Sequence, residues 1–353
     1  MKALTGLLLE AQECCTVQMA SSRTSQPTLD DVARRAGVST ATVSRFHNNP
    51  ALVAQSTAAR IRAAIEATGY VPNLLAGGLA SKRSRLVAVM VPEIAPSIFN
   101  DTIEAMAAEL ARDGNIVMLG LTGSGNNGRM RQLVDAALGR RADGIILTGV
   151  VSDAELRARL RGRDTTVIET WGIPDDPIDI AVGFSHTAVG RDIARFLHGR
   201  GFTRPLLTVA GGVRAQQRRD GFMEEWRAAG HRQPATIDLP MPARFGHARQ
   251  IWRHVIQQRQ RPDVIVCGSD MLAQGVIIEA QAAGVRVPDQ MAVTGFGNLA
   301  VAADMRPSIT TVDVDGARIG REAVAVLRRR GAGERVPRQV IDVGFRLIAR
   351  ESA

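Results

Sequence analysis

The chain has 353 residues, of which 45% are hydrophobic and 4% aromatic, and its formal net charge is +9. This length and apolar content suffice for a small domain and a large one. No apolar run approaches the roughly 20 residues that a membrane-spanning helix needs, and three cysteines (Cys14, Cys15 and Cys267) cannot form a disulfide framework. Membrane proteins and disulfide-rich secreted proteins are thereby excluded, and a cytoplasmic location is expected.

The first 26 residues carry one lysine, Lys2, and a short apolar run that Glu10 interrupts. This pattern makes a poor secretory signal peptide. We expect a disordered tail over residues 1–26, with Met19 as an alternative start of translation.

Two short helices are predicted over residues 28–48. Apolar residues recur at helical spacing through the first of them, and Gly37 then ends it by adopting a positive φ. Ser39 is placed to cap the second helix, whose inner face carries Val43 and Phe46. Two short helices joined by a tight turn with a glycine are typical of a helix-turn-helix, and a plain helical hairpin is the alternative.

The second helix carries small polar residues and one arginine outward, namely Thr40, Ala41, Thr42, Ser44 and Arg45. Such side chains approach base edges without bulk. Overall charge says little, because 42 arginines against two lysines indicate a GC-rich genome. From Arg23 to Arg85, however, nine basic side chains face three acidic ones. A local basic patch on a helix-turn-helix predicts DNA binding.

A third helix is predicted from a cap at Ser56 to about Thr68, stopped by Gly69 and Pro72. Three helices in this space make a small all-α headpiece over residues 27–72. Its predicted core consists of Leu29, Val32, Val38, Val43, Ile61 and Ile65.

Residues 28–50, TLDDVARRAGVSTATVSRFHNNP, followed by GYVPN at residues 69–73, resemble the DNA-binding headpiece of the lactose-repressor (LacI/GalR) family. The resemblance runs through the helix-turn-helix without a gap and continues more weakly to the C-terminus. Residues 43–46, 180–184 and 342–345 are most similar to the gluconate-utilisation repressors. The DNA-contacting residues that it implies are Thr28, Ser39, Thr40, Ala41, Thr42, Ser44, Arg45 and Asn48, with Thr40 and Ala41 reading bases.

Residues 73–85 correspond to the family's hinge helix, which folds on DNA and packs in pairs in the minor groove. Asn73 and Ala76 match the family pattern, and Leu79 matches the leucine that wedges between base pairs. The pair Gly77–Gly78 departs from it, and each glycine costs roughly 1 kcal/mol of helix propensity. A flexible linker is therefore the alternative.

From Leu86 onward, short apolar runs alternate with amphipathic helices, which predicts parallel sheets covered by helices. The predicted strands are LVAVMV, IVMLGL, GIILT, TTVIET, IAVGF, LLTVA, TIDL, DVIVCG and MAVTGF, with QVIDVGFRLIA as one C-terminal strand. The resemblance implies a two-lobed α/β core of the type I periplasmic-binding-protein fold over residues 86–353. Lobe one would comprise residues 86–183 and 314–335, and lobe two residues 184–313 and 336–353.

Three residues match family positions at the cleft between the lobes. Arg218 matches the effector-binding arginine, which can fork onto a carboxylate or hydroxyls. Phe99 matches an aromatic residue at the cleft mouth, with a core role as the alternative. Asp270 matches a pocket-shaping aspartate, although capping of the following helix would also explain it.

Gly172 and Gly297 stand where many family members carry an aspartate. Loss of two carboxylates with retention of Arg218 favours an anionic ligand, since an aspartate would repel one. We therefore predict a sugar acid such as gluconate or its 6-phosphate as the effector, with no cofactor.

Other classes of function are less well supported. Residues 123–128 fit G-x-G-x-x-G, but the next strand does not end in the acid that a dinucleotide site needs. His186 and His198 share one predicted helix without the further ligands of a metal site, and no catalytic triad has supporting context. A solute-binding protein for sugar uptake shares the core fold but not the headpiece.

No leucine heptads follow the last strand, so we expect a homodimer on a palindromic operator.

Overall fold

The computed structural model describes residues 26–71, 84–94, 98–123 and 127–353. The predicted tail up to residue 25 and most of the hinge, with Asn73, Ala76 and Leu79, lie outside the described residues. The chain divides into two compact units, Met1–Gly77 and Gly78–Ala353. No described helix is long and apolar enough to cross a membrane.

Three α-helices form the described part of the first unit: α1 (Leu29–Ala36), α2 (Thr40–Asn48) and α3 (Gln55–Thr68). Gly37 ends α1 with a φ of 61°, and Ser39 caps α2 by accepting a hydrogen bond from the backbone of Thr42, as predicted. The predicted cap at Ser56 was wrong. Helix α3 begins at Gln55, so its cap position is Ala54, two residues before Ser56, and Ala54 makes no side-chain cap.

The core of this unit lies where the three helices meet. Val32, Val43 and Ile61 are fully buried, as predicted, whereas Leu29, Val38 and Ile65 are only partly buried. The side chain of Arg60 on α3 donates hydrogen bonds to the carbonyl oxygens of Ala36 and Gly37. This arginine therefore satisfies carbonyl groups that the end of α1 leaves without helical partners.

The second unit alternates strands and helices. Its strands are β1 (Leu86–Val91), β2 (Ile116–Leu121), β3 (Gly144–Thr148), β4 (Thr166–Thr170), β5 (Ile180–Gly183), β6 (Pro205–Ala210), β7 (Ala235–Leu239), β8 (Val264–Val266), β9 (Ala292–Thr294), β10 (Thr311–Asp313), β11 (Gln339–Asp342) and β12 (Arg346–Ile348). Its helices are α4 (Asn100–Arg112), α5 (Asn127–Gly139), α6 (Ala154–Leu160), α7 (His186–Gly199), α8 (Val213–Ala228), α9 (Ala248–Gln257), α10 (Asp270–Ala282), α11 (Ala300–Asp304) and α12 (Gly316–Gly331).

Two parallel sheets form the two lobes. The first has six strands in the order β11-β5-β4-β3-β1-β2, and the second has four in the order β7-β6-β8-β9. The nine strands predicted before residue 300 are all present. Every pairing in both sheets is parallel, because the intervening helices return the chain to the same end of the sheet.

The prediction for the C-terminal segment was wrong in two respects. It forms two strands rather than one, because Gly344 turns the chain with a φ of 70°. Strand β11 then pairs with β5 in the first lobe, whereas β12 pairs antiparallel with β10. Residues 336–353 therefore do not belong wholly to lobe two. The last residues do reach it, since the backbone N–H of Val293 donates to the carbonyl of Ser352.

Candidate DNA-binding surface and inter-lobe site

Helix α2 separates its apolar and polar residues cleanly. Val43 and Phe46 are buried against the other two helices. On the opposite side the predicted DNA-contacting residues reach solvent: Ser39, Thr40, Ala41 and Arg45 are exposed, and Thr42 and Ser44 are half-buried. Asn48 is the last residue of the helix. The helix therefore presents short side chains and one cation outward.

The predicted contacts at the two helix starts also serve as caps. Thr28 donates its hydroxyl to Asp31 at 2.7 Å and forms a capping box with it. These bonds lower the pKa of Asp31, chiefly through the Thr28 hydroxyl. The hydroxyls of Ser39 and Thr42 lie 2.9 Å apart. Capping therefore fixes the orientation of three of the polar side chains that the sequence assigns to DNA contact.

In the core unit, aromatic rings from both lobes meet between the two sheets. We call Phe99, Trp171, Phe184 and Phe296 the aromatic cluster. Phe99 lies 5.1 Å from Trp171, Trp171 lies 6.1 Å from Phe184, and Phe184 lies 6.3 Å from Phe296 (distances between ring centroids). Phe99 precedes α4 of the first lobe, whereas Phe296 follows β9 of the second. The cluster therefore joins segments nearly 200 residues apart.

Trp171, a member of this cluster, is hydrogen-bonded to His186. Trp171 has an unusual φ of 62°, and its indole N–H donates to the Thr102 hydroxyl at 3.0 Å. Its carbonyl oxygen lies 2.9 Å from Nε2 of His186. A left-handed tryptophan persists only where its surroundings hold it in place, and such strain is frequent at functional sites.

Arg218 was predicted at the cleft, and the structure places it there. One guanidinium nitrogen lies 3.0 Å from Nδ1 of His186, and Cζ lies 4.2 Å from the centre of the Phe296 ring. Because a guanidinium only donates, Nδ1 accepts and Nε2 carries the proton toward the Trp171 carbonyl. Burial and the nearby Arg218 charge lower the pKa of His186 to about 2, so this histidine is neutral.

A second arginine, Arg214, was not predicted. It lies one helical turn before Arg218 on α8, and its Cζ is 5.3 Å from the centre of the Phe99 ring. It also lies beside Gly149 at the end of β3. Burial lowers the pKa of Arg214 to about 10, and burial together with the Arg214 charge lowers that of Arg218 to about 9. The i, i+4 spacing after a glycine turn was the signal in the sequence that could have found it.

Helix α8 is held in place by two glycines that let it touch α7. A Cβ on Gly221 would lie 2.1 Å from the carbonyl oxygen of Thr187, and one on Gly190 would lie 2.0 Å from that of Arg218. Only glycine permits so close an approach of the two backbones. This contact places Arg218 directly beside His186 at the start of α7.

Asp270 lies at the first residue of α10 and is fully buried. It accepts hydrogen bonds from the Thr311 hydroxyl at 2.5 Å and from the Leu299 backbone at 2.7 Å. Burial raises its pKa. The capping alternative was wrong, because Ser269 is the cap. Asp270 therefore shapes the loop after β9 from within the protein, and direct contact with an effector stays a prediction.

Gly172 and Gly297, which the resemblance aligns with family aspartates, both border the inter-lobe site. A Cβ on Gly172 would lie 3.8 Å from the His186 ring and 3.1 Å from Val150. A Cβ on Gly297 would lie 2.6 Å from Ile98 and 3.7 Å from the Asp270 carboxylate. A carboxylate at position 172 would lie next to His186, which Arg218 contacts, and one at position 297 would lie next to the Asp270 carboxylate.

Two family profiles match the chain. The one described as bacterial regulatory proteins, lacI family, matches residues 28–73, and the one described as a periplasmic binding protein-like domain matches residues 194–353. A relative from Pseudomonas aeruginosa, the HTH-type transcriptional regulator GntR, is 33% identical over 333 residues, covering 93% of this chain and 96% of the relative.

Solved structures show the same architecture. A LacI-family transcriptional regulator from Silicibacter pomeroyi has a TM-score of 0.85 at 26% identity, covering 92% of this chain and 99% of that one. The lac repressor dimer bound to operator and the anti-inducer ONPF has a TM-score of 0.81, covering 92% of this chain and 98% of its own. Its identity of 22% supports a shared fold and nothing finer.

Proposed function

The chain belongs to the lacI family of bacterial regulatory proteins, and we propose that it binds a palindromic operator as a homodimer and leaves it when a sugar acid, such as gluconate or its 6-phosphate, binds between the lobes. Members of this family are DNA-binding transcriptional regulators, not enzymes. The action proposed here takes place in the cytoplasm, where the chromosome lies.

The exposed face of α2 is the observation that carries the proposal. Its apolar residues are buried in the headpiece core, so the face with Thr40, Ala41 and Arg45 is free to enter a major groove. The first two side chains are short enough to approach base edges, and Arg45 can meet guanine or phosphate. Footprinting on DNA upstream of the chain's own gene should reveal a protected inverted repeat. No protected repeat under any metabolite would reject operator binding.

The charge balance of the inter-lobe site supports an anionic effector. Arg214 and Arg218 lie there, while Gly172 and Gly297 carry no carboxylate. We expect gluconate or its 6-phosphate to raise the melting temperature and to weaken operator binding in a gel shift. Stabilisation by neutral hexoses and not by these acids would contradict the proposal.

The proposed mechanism is a shift between two arrangements of the lobes. A ligand that contacts Phe99 and Gly149 on one side and Arg218 on the other favours the arrangement that brings these groups together. The effector can shift the equilibrium only by its difference in affinity for the two arrangements. A change from 1:99 to 99:1 requires a preference of roughly 10⁴-fold.

The dimer is supported by exposed apolar residues on the core. Strand β2 lies at the edge of the first sheet. The solvent-exposed fractions of its residues Ile116, Leu119 and Leu121 are 54%, 38% and 45%. A long apolar edge strand is a pairing surface unless something covers it. Leu119→Glu should sediment as a monomer. Val340→Glu, on β11 at the opposite edge of the same sheet, is the matched control and should remain dimeric.

A further inference from the structure

We propose that the effector carries two separate anionic groups, and that Arg214 binds one of them while Arg218 binds the other. This inference rests on the proposed function, because it concerns the same inter-lobe site. It names the ligand class more narrowly, as a short polyhydroxy chain with an acid group at each end.

Both arginines lie on helix α8, but their side chains contact different lobes. They lie one turn apart on α8, which places them on the same face. Arg214 extends to Phe99 and Gly149 of the first lobe. Arg218 rests on Phe296 of the second lobe. A ligand that spans the lobes therefore meets a cation at each end.

Among the residues that the structure describes, three arginines close to this pair have carboxylate partners, unlike Arg214 and Arg218. Arg191 and Arg195 on α7 pair with Glu224 and Glu225 on α8, at 2.8 and 2.9 Å. Arg219, the next residue after Arg218, pairs with Asp220 at 2.7 Å. Within the described part of the chain, neither Arg214 nor Arg218 forms an ion pair with a carboxylate. Arg191, Arg195 and Arg219 are therefore neutralised by carboxylates, whereas no described carboxylate neutralises the two arginines of the site.

Among the described residues, the side chains nearest to these two arginines are not free carboxylates. His186 accepts a hydrogen bond from Arg218 as a neutral ring. The Asp270 carboxylate is occupied by Thr311 and Leu299. The rings of Phe99 and Phe296 compensate partly through cation–π contact. Half-buried cations without a carboxylate partner are costly, so their retention points to a ligand that brings two negative charges.

The space beside Arg214 suits the middle of such a ligand. A cavity next to Gly149 is lined by the hydroxyl-bearing residues Thr122, Thr148 and Ser152, and by Asp153, whose carboxylate already pairs with Arg131 at 2.6 Å. Hydroxyl groups both donate and accept hydrogen bonds, so they match the hydroxyls of a polyol chain. An acid group at one end of that chain would then face Arg214.

Isothermal titration of the full-length protein with three probes tests the inference. D-gluconate has one carboxylate, D-glucarate has two, and 6-phosphogluconate has a carboxylate and a phosphate. We expect at least one of the doubly acidic probes to bind roughly ten-fold or more tightly than gluconate, because it gains a charge-assisted contact. Which of the two binds more tightly identifies the second group as carboxylate or phosphate.

Arg214→Gln should remove this preference, so that the doubly acidic probes bind no better than gluconate while gluconate affinity changes less than about two-fold. Arg214→Lys should restore part of the preference. Arg227→Gln removes an exposed arginine at the far end of the same helix and should change nothing. Circular dichroism of each variant confirms folding.

Two outcomes overturn the inference and remain distinguishable. If gluconate binds and releases the operator but doubly acidic probes bind no more tightly, or if Arg214→Gln weakens all three probes equally, the two-anion inference fails while the proposed function stands. If none of the three probes binds the wild-type protein, the proposed effector class fails as well.

Discussion

The two candidate sites of this protein are built on different length scales. On the DNA-binding surface, residues 39–45 lie within two helical turns, and each side chain points where its helix position directs it. The inter-lobe site instead joins Phe99, Trp171, Arg218 and Phe296, which are up to 197 positions apart. A local site therefore survives any change that leaves its helix intact, whereas an assembled site depends on how helices and sheets pack.

A substitution that separates α8 from α7 should have the largest effect on stability and on effector binding. Gly221→Ala would place a methyl group 2.1 Å from the Thr187 carbonyl, so the helices must separate. We expect a loss of about 3 kcal/mol of unfolding free energy or more, together with loss of effector binding. Chemical denaturation and titration calorimetry measure both. Gly199→Ala, at the exposed end of α7 with no atom near its Cβ, should not destabilise the protein.

Substitutions on the DNA-binding surface should change DNA binding without changing stability. Exchanging Thr40 and Ala41 for another pair of small residues should change operator preference by roughly 1–3 kcal/mol per affected base pair. Thermal stability and effector affinity should stay unchanged, because both side chains are exposed. Binding to a library of operator variants measures the preference. A uniform loss of affinity across the library would argue against base reading.

A restored carboxylate should alter selectivity in the inter-lobe site. Gly172→Asp would bring a negative charge toward His186 and the groups around Arg218. Affinity for sugar acids should fall roughly ten-fold or more, since like charges repel in a partly desolvated site. Gly172→Asn has nearly the same shape without the charge and should retain sugar-acid binding. Equal losses in the two variants would attribute the effect to crowding against Val150.

His186 should make a smaller, pH-dependent contribution. Its pKa is about 2 in the folded protein and 6.5 ordinarily. Below pH 6.5 the unfolded chain therefore binds a proton at this histidine that the folded chain does not bind. Stability is therefore lost as the pH falls below 6.5, by about 0.7 kcal/mol between pH 7 and pH 6. His186→Gln should show a correspondingly flatter dependence in denaturant titrations. Identical slopes for the two proteins would show that this histidine is not neutral when folded.

Much of the architecture was predictable because it follows from local patterns. The apolar period of α1, the glycine after it and the cap at Ser39 define the helix-turn-helix. The apolar runs marked the parallel strands of both lobes. The resemblance of residues 28–73 to the lacI family agrees with the matching family profile.

The remaining features depend on distant partners. The sequence of QVIDVGFRLIA is equally compatible with one strand or two, and only pairing with β5 and β10 divides it between the sheets. Arg214 is one of 42 arginines in the sequence. Its spacing from Arg218 did not single it out, and only its contact with Phe99 in the structure places it at the inter-lobe site. Asp270 resembled a cap until its carboxylate proved to bind Thr311 and Leu299.

Local sequence signals sufficed to predict which segments become helices and strands and which helix carries an exposed polar face, because periodicity, caps and turns act between neighbouring residues. Three-dimensional packing set which arginines of the core have a carboxylate partner among the described residues and which do not. A counter-charge depends on distance in space, and in this fold the groups that lie within reach of Arg214 and Arg218 come from both lobes.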